Sequence, residues 1–248
     1  MSGTPKLVWV WPTGHAAFTQ FDEWLFHLLN RPLEQNEVWL WMWTIASMRP
    51  FDIVVGLILL ALLIKGDWVF KAVQTRAALI GFVLTLILLL VIRTVFSKII
   101  DHTSLQHDSA SMVIPDAIKL SDIFPTLEDK WELKDRSSQS FPGDHASVLL
   151  IWAMFMTAFS RTVGQRVIIW VLAFLFMMPR LVAGAHWGQD DYIGGVMIAL
   201  LALAWSCYTP FVAVVTRFLL QVTAPIFNVF AKVPLLNCLS IMKPGARG

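Results

Sequence analysis

Residues Ala77–Phe96 are twenty consecutive positions carrying a single charge, Arg93, near one end. A bilayer-spanning helix needs roughly 20 mostly apolar residues, and a water-facing fold has no use for so long an uncovered run. Four further stretches read the same way. Ile53–Ile64 is short but extends through Phe51 on one side and Trp68–Phe70 on the other. Ala146–Phe159 and Val167–Met178 flank the polar turn "SRTVGQR", and Tyr192–Tyr208 is the fifth. Phe218–Ala231 is a sixth candidate, but Arg217, Pro225 and Lys232 favour a surface position. Residues 16–50 mix Asp22, Glu23, Arg31, Glu34 and Glu37 with many tryptophans, which suits helices lying in the membrane interface. The expected fold is all-α: a polytopic integral membrane helical bundle of five crossings, six if the last segment crosses. It reads as one membrane domain, with an interfacial segment 1–50, a core 51–209 and a tail 210–248.

Composition agrees. Apolar residues make up 57% of the 248 and charged residues only 15%, against about 25% charged in a soluble domain. Twelve tryptophans fit the bilayer interface. The net charge of +2 says little about partners and gives no support to a nucleic-acid partner. Cys207 and Cys238 supply neither a disulfide framework nor a zinc spacing, and they read as buried or inert thiols. Leu7–Trp11 is too short for a secretory h-region, and Pro12 and Gly14 interrupt it.

Orientation follows from the short loops. Lys65, Lys71 and Arg76, then Arg161 and Arg166, then Arg217, Lys232, Lys243 and Arg247 fall on one face of a five-crossing chain. That face is expected to be cytoplasmic. The other face, expected to be periplasmic in a bacterial inner membrane, receives the acid-rich 97–145 loop and the turn at 180–191.

Two polar blocks lie on that second face. "SFPGDH" ends at His145, and "PRLVAGAHWGQD" holds Arg180, His186 and Asp190 in an R-x5-H-x3-D spacing. One helical hairpin separates them, so two crossings return Arg180 and His186 to the end where His145 started. Lys98 ends the preceding span there too. A guanidinium offers forked donors to phosphate oxygens. One neutral imidazole can attack phosphorus while a carboxylate such as Asp190 orients it. A second, protonated imidazole can give a proton to the leaving oxygen.

These blocks resemble the type 2 phosphatidic acid phosphatase (PAP2) family, whose patterns are K-x6-R-P, P-S-G-H and S-R-x5-H-x3-D. The similarity covers roughly residues 52–208. The resemblance implies a PAP2-like core in which His186 becomes a phosphohistidine, Asp190 is its partner and His145 is the general acid. It also implies that Arg180 and Lys98 hold phosphate and that no metal or other cofactor is needed. Several positions depart from the pattern. Pro179 stands where the family has serine, and Gly143 and Asp144 replace the serine and glycine of the second block; both are expected at the phosphate. From Lys98 the Arg-Pro of the first block falls on Leu105 and Gln106. Arg136 is the expected substitute for the missing arginine. The same departures are similar to a subgroup of that family, the bacterial lipid A 1-diphosphate synthases. That similarity implies membrane-lipid partners: a polyprenyl diphosphate donor, with lipid A or water as acceptor.

"WPTGH" at 11–15 lies on the same face but is followed by the charged 20–37 stretch, with no R-x5-H one hairpin later. It reads as an ordinary turn. His102 and His107 read as solvated or facing headgroups, and His27 as interfacial. The leading reading that the resemblance implies is a lipid phosphotransferase moving phosphate from undecaprenyl diphosphate to the 1-phosphate of lipid A. It competes with a lipid phosphatase using water on undecaprenyl diphosphate or another lipid phosphate, and with a transporter or lipid-binding scaffold whose site is inactive.

Overall fold

The computed structural model describes residues 12–100, 106–234 and 236–243, with side chains from Phe18 onward. Twelve α-helices account for most of them. The N-terminal helices are α1 (Pro12–Asn30), α2 (Pro32–Gln35) and α3 (Glu37–Ser47). Next come α4 (Arg49–Ile64) and α5 (Thr75–Ile100), then the short α6 (Ala110–Val113), α7 (Leu120–Ile123) and α8 (Pro125–Trp131). The chain closes with α9 (Asp144–Phe159), α10 (Val163–Val182), α11 (Val196–Tyr208) and α12 (Phe211–Phe230). A π-helical turn, Asp190–Gly195, leads into α11. The all-α bundle expected from the apolar runs is what the chain forms, and its long apolar helices make it a multi-pass membrane protein. Segments Ala72–Ile100, Val163–Val182, Asp190–Tyr208 and Phe211–Phe230 are each long and apolar enough to cross a bilayer.

Local chemistry fixes the helix ends. Asn36 caps α3 by accepting from Trp39 N at 3.0 Å. Thr162 and Gln165 close a reciprocal capping box on α10, satisfying donors that a helix start leaves without partners. Beyond α10, Gly184 takes φ +78°, a left-handed conformation that glycine adopts without a Cβ penalty. That turn aims residues 185–190 back over the bundle end.

At 16 residues α9 is short for a span, because it is the central helix and meets protein on nearly every side. Leu149, Ile151, Trp152, Ala153 and Met156 are almost inaccessible. Small residues set the close approaches, with Ala153, Ala173, Ala199 and Ala202 fully buried between α9, α10 and α11. Trp152 places its indole N–H on Leu59 O at 3.2 Å, so the one polar atom of a large buried ring is satisfied.

Two span boundaries differ from expectation. The first apolar helix, α4, extends toward Arg49 rather than through Trp68–Phe70: it ends at Ile64, where Lys65 turns extended at φ −65°, ψ 108°. The last apolar segment forms a longer helix than its charges suggest, yet it does not return to the end carrying the histidines. Val212 and Ala213 share a cavity wall with Val69, Phe70 and Ala77. Phe227 sits 4.1 Å under the Arg76 guanidinium. The tail is held there as well: Ser240 Oγ accepts from Gly66 N at 3.1 Å and Ile241 O from Arg76 Nε at 3.0 Å. α12 thus lies against the end where α5 begins. Cys207 and Cys238 are free thiols, exposed rather than buried.

α1 is more than an interfacial helix. Its Asp22 is buried and accepts from Gln189 N at 3.0 Å and Tyr192 Oη at 3.1 Å. Burial, opposed by those two bonds, pushes the Asp22 carboxyl up to about 6. Asn30 bridges Ile118 and Val182. Both contacts pin α1 over the loop that follows α10.

Candidate active site

The N-termini of α4 and α9, the C-termini of α5 and α10, and the π-helical turn converge on one end of the bundle. There the fold brings together His145, Arg180, His186 and Asp190, with Asp144 among them.

His186 is buried, 7% exposed. Its Nδ1 lies 3.0 Å from Ser140 O and 3.3 Å from Ser140 Oγ. Asp190 Oδ2 stands 3.8 Å from Nδ1, beyond hydrogen-bond reach, so Ser140 is the direct orienter and Asp190 supplies charge behind it. Asp190 itself is fully buried. Oδ2 accepts from Trp187 N at 2.7 Å and from Ser140 Oγ, and Oδ1 pairs with His107 Nε2 at 3.0 Å. His107 is therefore inside the site, not a solvated loop residue.

The other face of His186 meets an acid. Nε2 is 3.2 Å from Asp144 Oδ1, which also accepts from His145 N at 2.7 Å. Asp144 Oδ2 faces Arg93 Nη2 at 3.5 Å. With acceptors on both nitrogens, the imidazole carries two protons. Burial pulls its pKa down, but the Asp144 bond and the charges of Asp190 and Asp191 outweigh burial and raise it to about 10.

A second cluster adjoins the first. Arg180, buried at the end of α10, donates Nη2 to Asp52 Oδ2 at 2.5 Å and Nη1 to Ser47 O at 3.3 Å. His145 donates Nε2–H to Phe176 O at 3.0 Å, leaving Nδ1 3.9 Å from Asp52 Oδ1. Nδ1 is thus the ring atom with no committed partner.

Other expected phosphate contacts are not there. Lys98 is exposed and has no hydrogen bond or ion pair among the described residues; the α5 cation that reaches the cluster is Arg93, five residues earlier. Arg136 pairs with Glu128 at 3.4 Å on the surface. Gly143 spends its N–H on Asp190 O at 3.0 Å. A Cβ at Gly143 would overlap Asp191 Oδ1, so the Asp191 carboxyl fills the space beside that position. Both Asp191 oxygens are buried without a hydrogen-bond partner. Asp144 is an acceptor while ionised and cannot donate to phosphate. The His15 side chain and His102 lie outside the described residues, but the Pro12–His15 backbone is the first turn of α1, not a loop.

Four neighbours of the candidate site escaped the sequence: Ser140, His107, Arg93 and Asp52. Arg93 alone carried a signal, being an ionisable residue inside an otherwise apolar span, which is a functional candidate by default.

Comparison with known proteins gives a consistent result. The PAP2 superfamily matches residues 100–214, which hold the second and third polar blocks and begin just after Lys98. The chain is similar to lipid A 1-diphosphate synthase of Escherichia coli (strain K12), 27% identical over 210 residues that cover 82% of each chain. No solved structure matches. The resemblance drawn from the motif spacing is borne out.

Proposed function

We propose that this PAP2-superfamily chain is a membrane lipid phosphotransferase that moves a phosphate from undecaprenyl diphosphate to the 1-phosphate of lipid A through a phosphohistidine. The observation that carries the reading is the anchoring of His186. Nδ1 is fixed by Ser140 O at 3.0 Å with Asp190 behind it, so Nε2 is the atom aimed at the half-exposed side of the site. That is the arrangement a nucleophilic imidazole needs.

In this mechanism His186 first loses its Nε2 proton to solvent as the Asp144 carboxylate is displaced, and Nε2 then attacks the terminal phosphorus of the donor. The P–N bond forms as the bond to the bridging oxygen breaks. His145, which keeps Nε2–H on Phe176 O and takes up a proton from solvent at Nδ1 beforehand, delivers that proton to the leaving oxygen. Arg180 and Arg93 balance the charge on the transferred group. The acceptor's phosphate oxygen then attacks phosphorus, the P–N bond breaks, and any proton the acceptor carried passes to His145. Asp190, held by Trp187 N and His107, stabilises the positive charge on the phosphorylated imidazole. The reading takes the protein to be in the bacterial inner membrane with the site on the periplasmic side. ATP is absent there, and a polyprenyl diphosphate supplies the phosphoryl group.

Radiolabelled undecaprenyl diphosphate, incubated with the purified protein and lipid A, tests it. Label on lipid A is expected. Label released only as inorganic phosphate would instead identify a lipid phosphatase using the same histidine with water as acceptor.

A further inference from the structure

The position opposite His186 Nε2 is occupied by the protein itself. Asp144 Oδ1 accepts from His186 Nε2 at 3.2 Å and from the His145 main-chain N–H at 2.7 Å, and Oδ2 faces Arg93 at 3.5 Å. An imidazole, a helix N-terminal amide and a guanidinium are the donors a tetrahedral phosphoryl group requires. The family pattern has glycine at this position, so the carboxylate is an addition to the cradle, not part of it. It is also the more accessible member: the Asp144 side chain is 53% exposed, whereas that of His186 is 8% exposed, so an incoming anion meets the carboxylate first.

We propose that Asp144 is a specificity-determining plug: in the empty enzyme its carboxylate occupies the phosphoryl position, and only an anion that displaces it gains access to His186 Nε2. The proposal rests on the reading of His186 as the phosphoryl acceptor. While the plug is in, both ring nitrogens of His186 are donors and the imidazolium has no lone pair with which to attack. A weakly held or singly charged anion meets a carboxylate of its own sign. The terminal phosphoryl of a lipid diphosphate brings more charge and a membrane-anchored tail to the competition. The plug thus disfavours free phosphate and small phosphate esters and keeps the nucleophile silent until the lipid anion arrives.

Binding of orthovanadate, a phosphoryl mimic, to the full chain purified in detergent tests this by titration calorimetry. Asp144→Asn keeps the shape and removes the charge; Asp144→Gly installs the residue of the family pattern and stands in if the first variant fails to fold. Both are expected to bind vanadate about tenfold more tightly than wild type, since a like charge in contact with the ligand is removed. Adding His186→Ala to either should abolish the gain. If both variants bind no more tightly than wild type while His186→Ala weakens wild-type binding, Asp144 is not a plug and the phosphoryl site stands. If His186→Ala changes nothing in any background, the nucleophile reading fails and the plug falls with it.

Discussion

His107 Nε2 rests 3.0 Å from Asp190 Oδ1 across 83 residues of sequence. The contact closes a chain of partners that runs from the loop before α6 through Asp190 and Ser140 to His186. On the proposed mechanism His107 acts through Asp190, orienting the carboxylate that stands behind His186. Removing such an outer partner typically costs 10–100-fold at metal-bound histidines, and a loss of about tenfold in kcat is expected for His107→Ala with KM little changed. Asn or Gln at 107, which can still donate to Asp190, should recover part of it. A loss seen only in KM would remove the positioning role.

Replacing His186 by Ala should lower turnover by more than about a hundredfold and eliminate an acid-labile, base-stable phosphoenzyme, because the covalent route is lost. Retention of the phosphoenzyme in the variant would move the nucleophile elsewhere.

The acid role makes a different demand. His145→Ala should slow lipid substrates by about 10²–10⁴-fold, yet slow an aryl phosphate with an activated leaving group much less. Equal losses on the two substrates would contradict proton delivery from Nδ1.

Rate and stability should move in opposite directions with pH. His186 is held near about 10, above its ordinary 6.5. A raised folded-state value means that the imidazolium stabilises the fold fully below pH 6.5, and that this contribution is lost as pH rises through about 10. The nucleophile needs the neutral ring, so kcat/KM, which reports the free enzyme, should climb over the same window. Thermal melts across that range should show the loss in wild type and not in His186→Ala; a kcat/KM flat from pH 6.5 upward would mean that the empty enzyme holds a neutral His186.

Installing the serine of the PAP2 pattern at 143 should harm this protein. Its Cβ meets Asp191 Oδ1 and the Asp190 main chain, and overpacking of this kind costs about 1–3 kcal/mol. Asp191→Ala should relieve it in the double variant, since the Asp191 oxygens lose no hydrogen bond on removal. Additive melting temperatures would show that the two positions do not collide.

The hydrophobic runs alone determined the helical membrane fold, because a chain with so little charge cannot cover itself against water. Spacing and parity determined a good part of the site. A hairpin of two crossings returns to its starting end, so His145, Arg180 and His186 had to share a depth, and the turn after α10 carried Asp190 with them. What they did not determine is rotation. Arg93 and Lys98 are five residues apart on α5, about 140° around the helix. Only the packing of α5 against α9 and α11 decided that Arg93 faces Asp144 and Lys98 faces outward. The same is true of Asp144, read from sequence as a phosphate contact. Its place opposite His186 Nε2 comes from α9 and the post-α10 loop meeting at one end, a contact between elements that no local pattern encodes. His107, Ser140 and Asp52 came from loops and helix starts whose neighbours are set by tertiary closure. The position of α12 was likewise settled by Arg76 and the 240–243 tail, not by its own hydrophobicity. Periodicity fixes which end of a bundle a residue reaches, and side-chain packing fixes what it faces there.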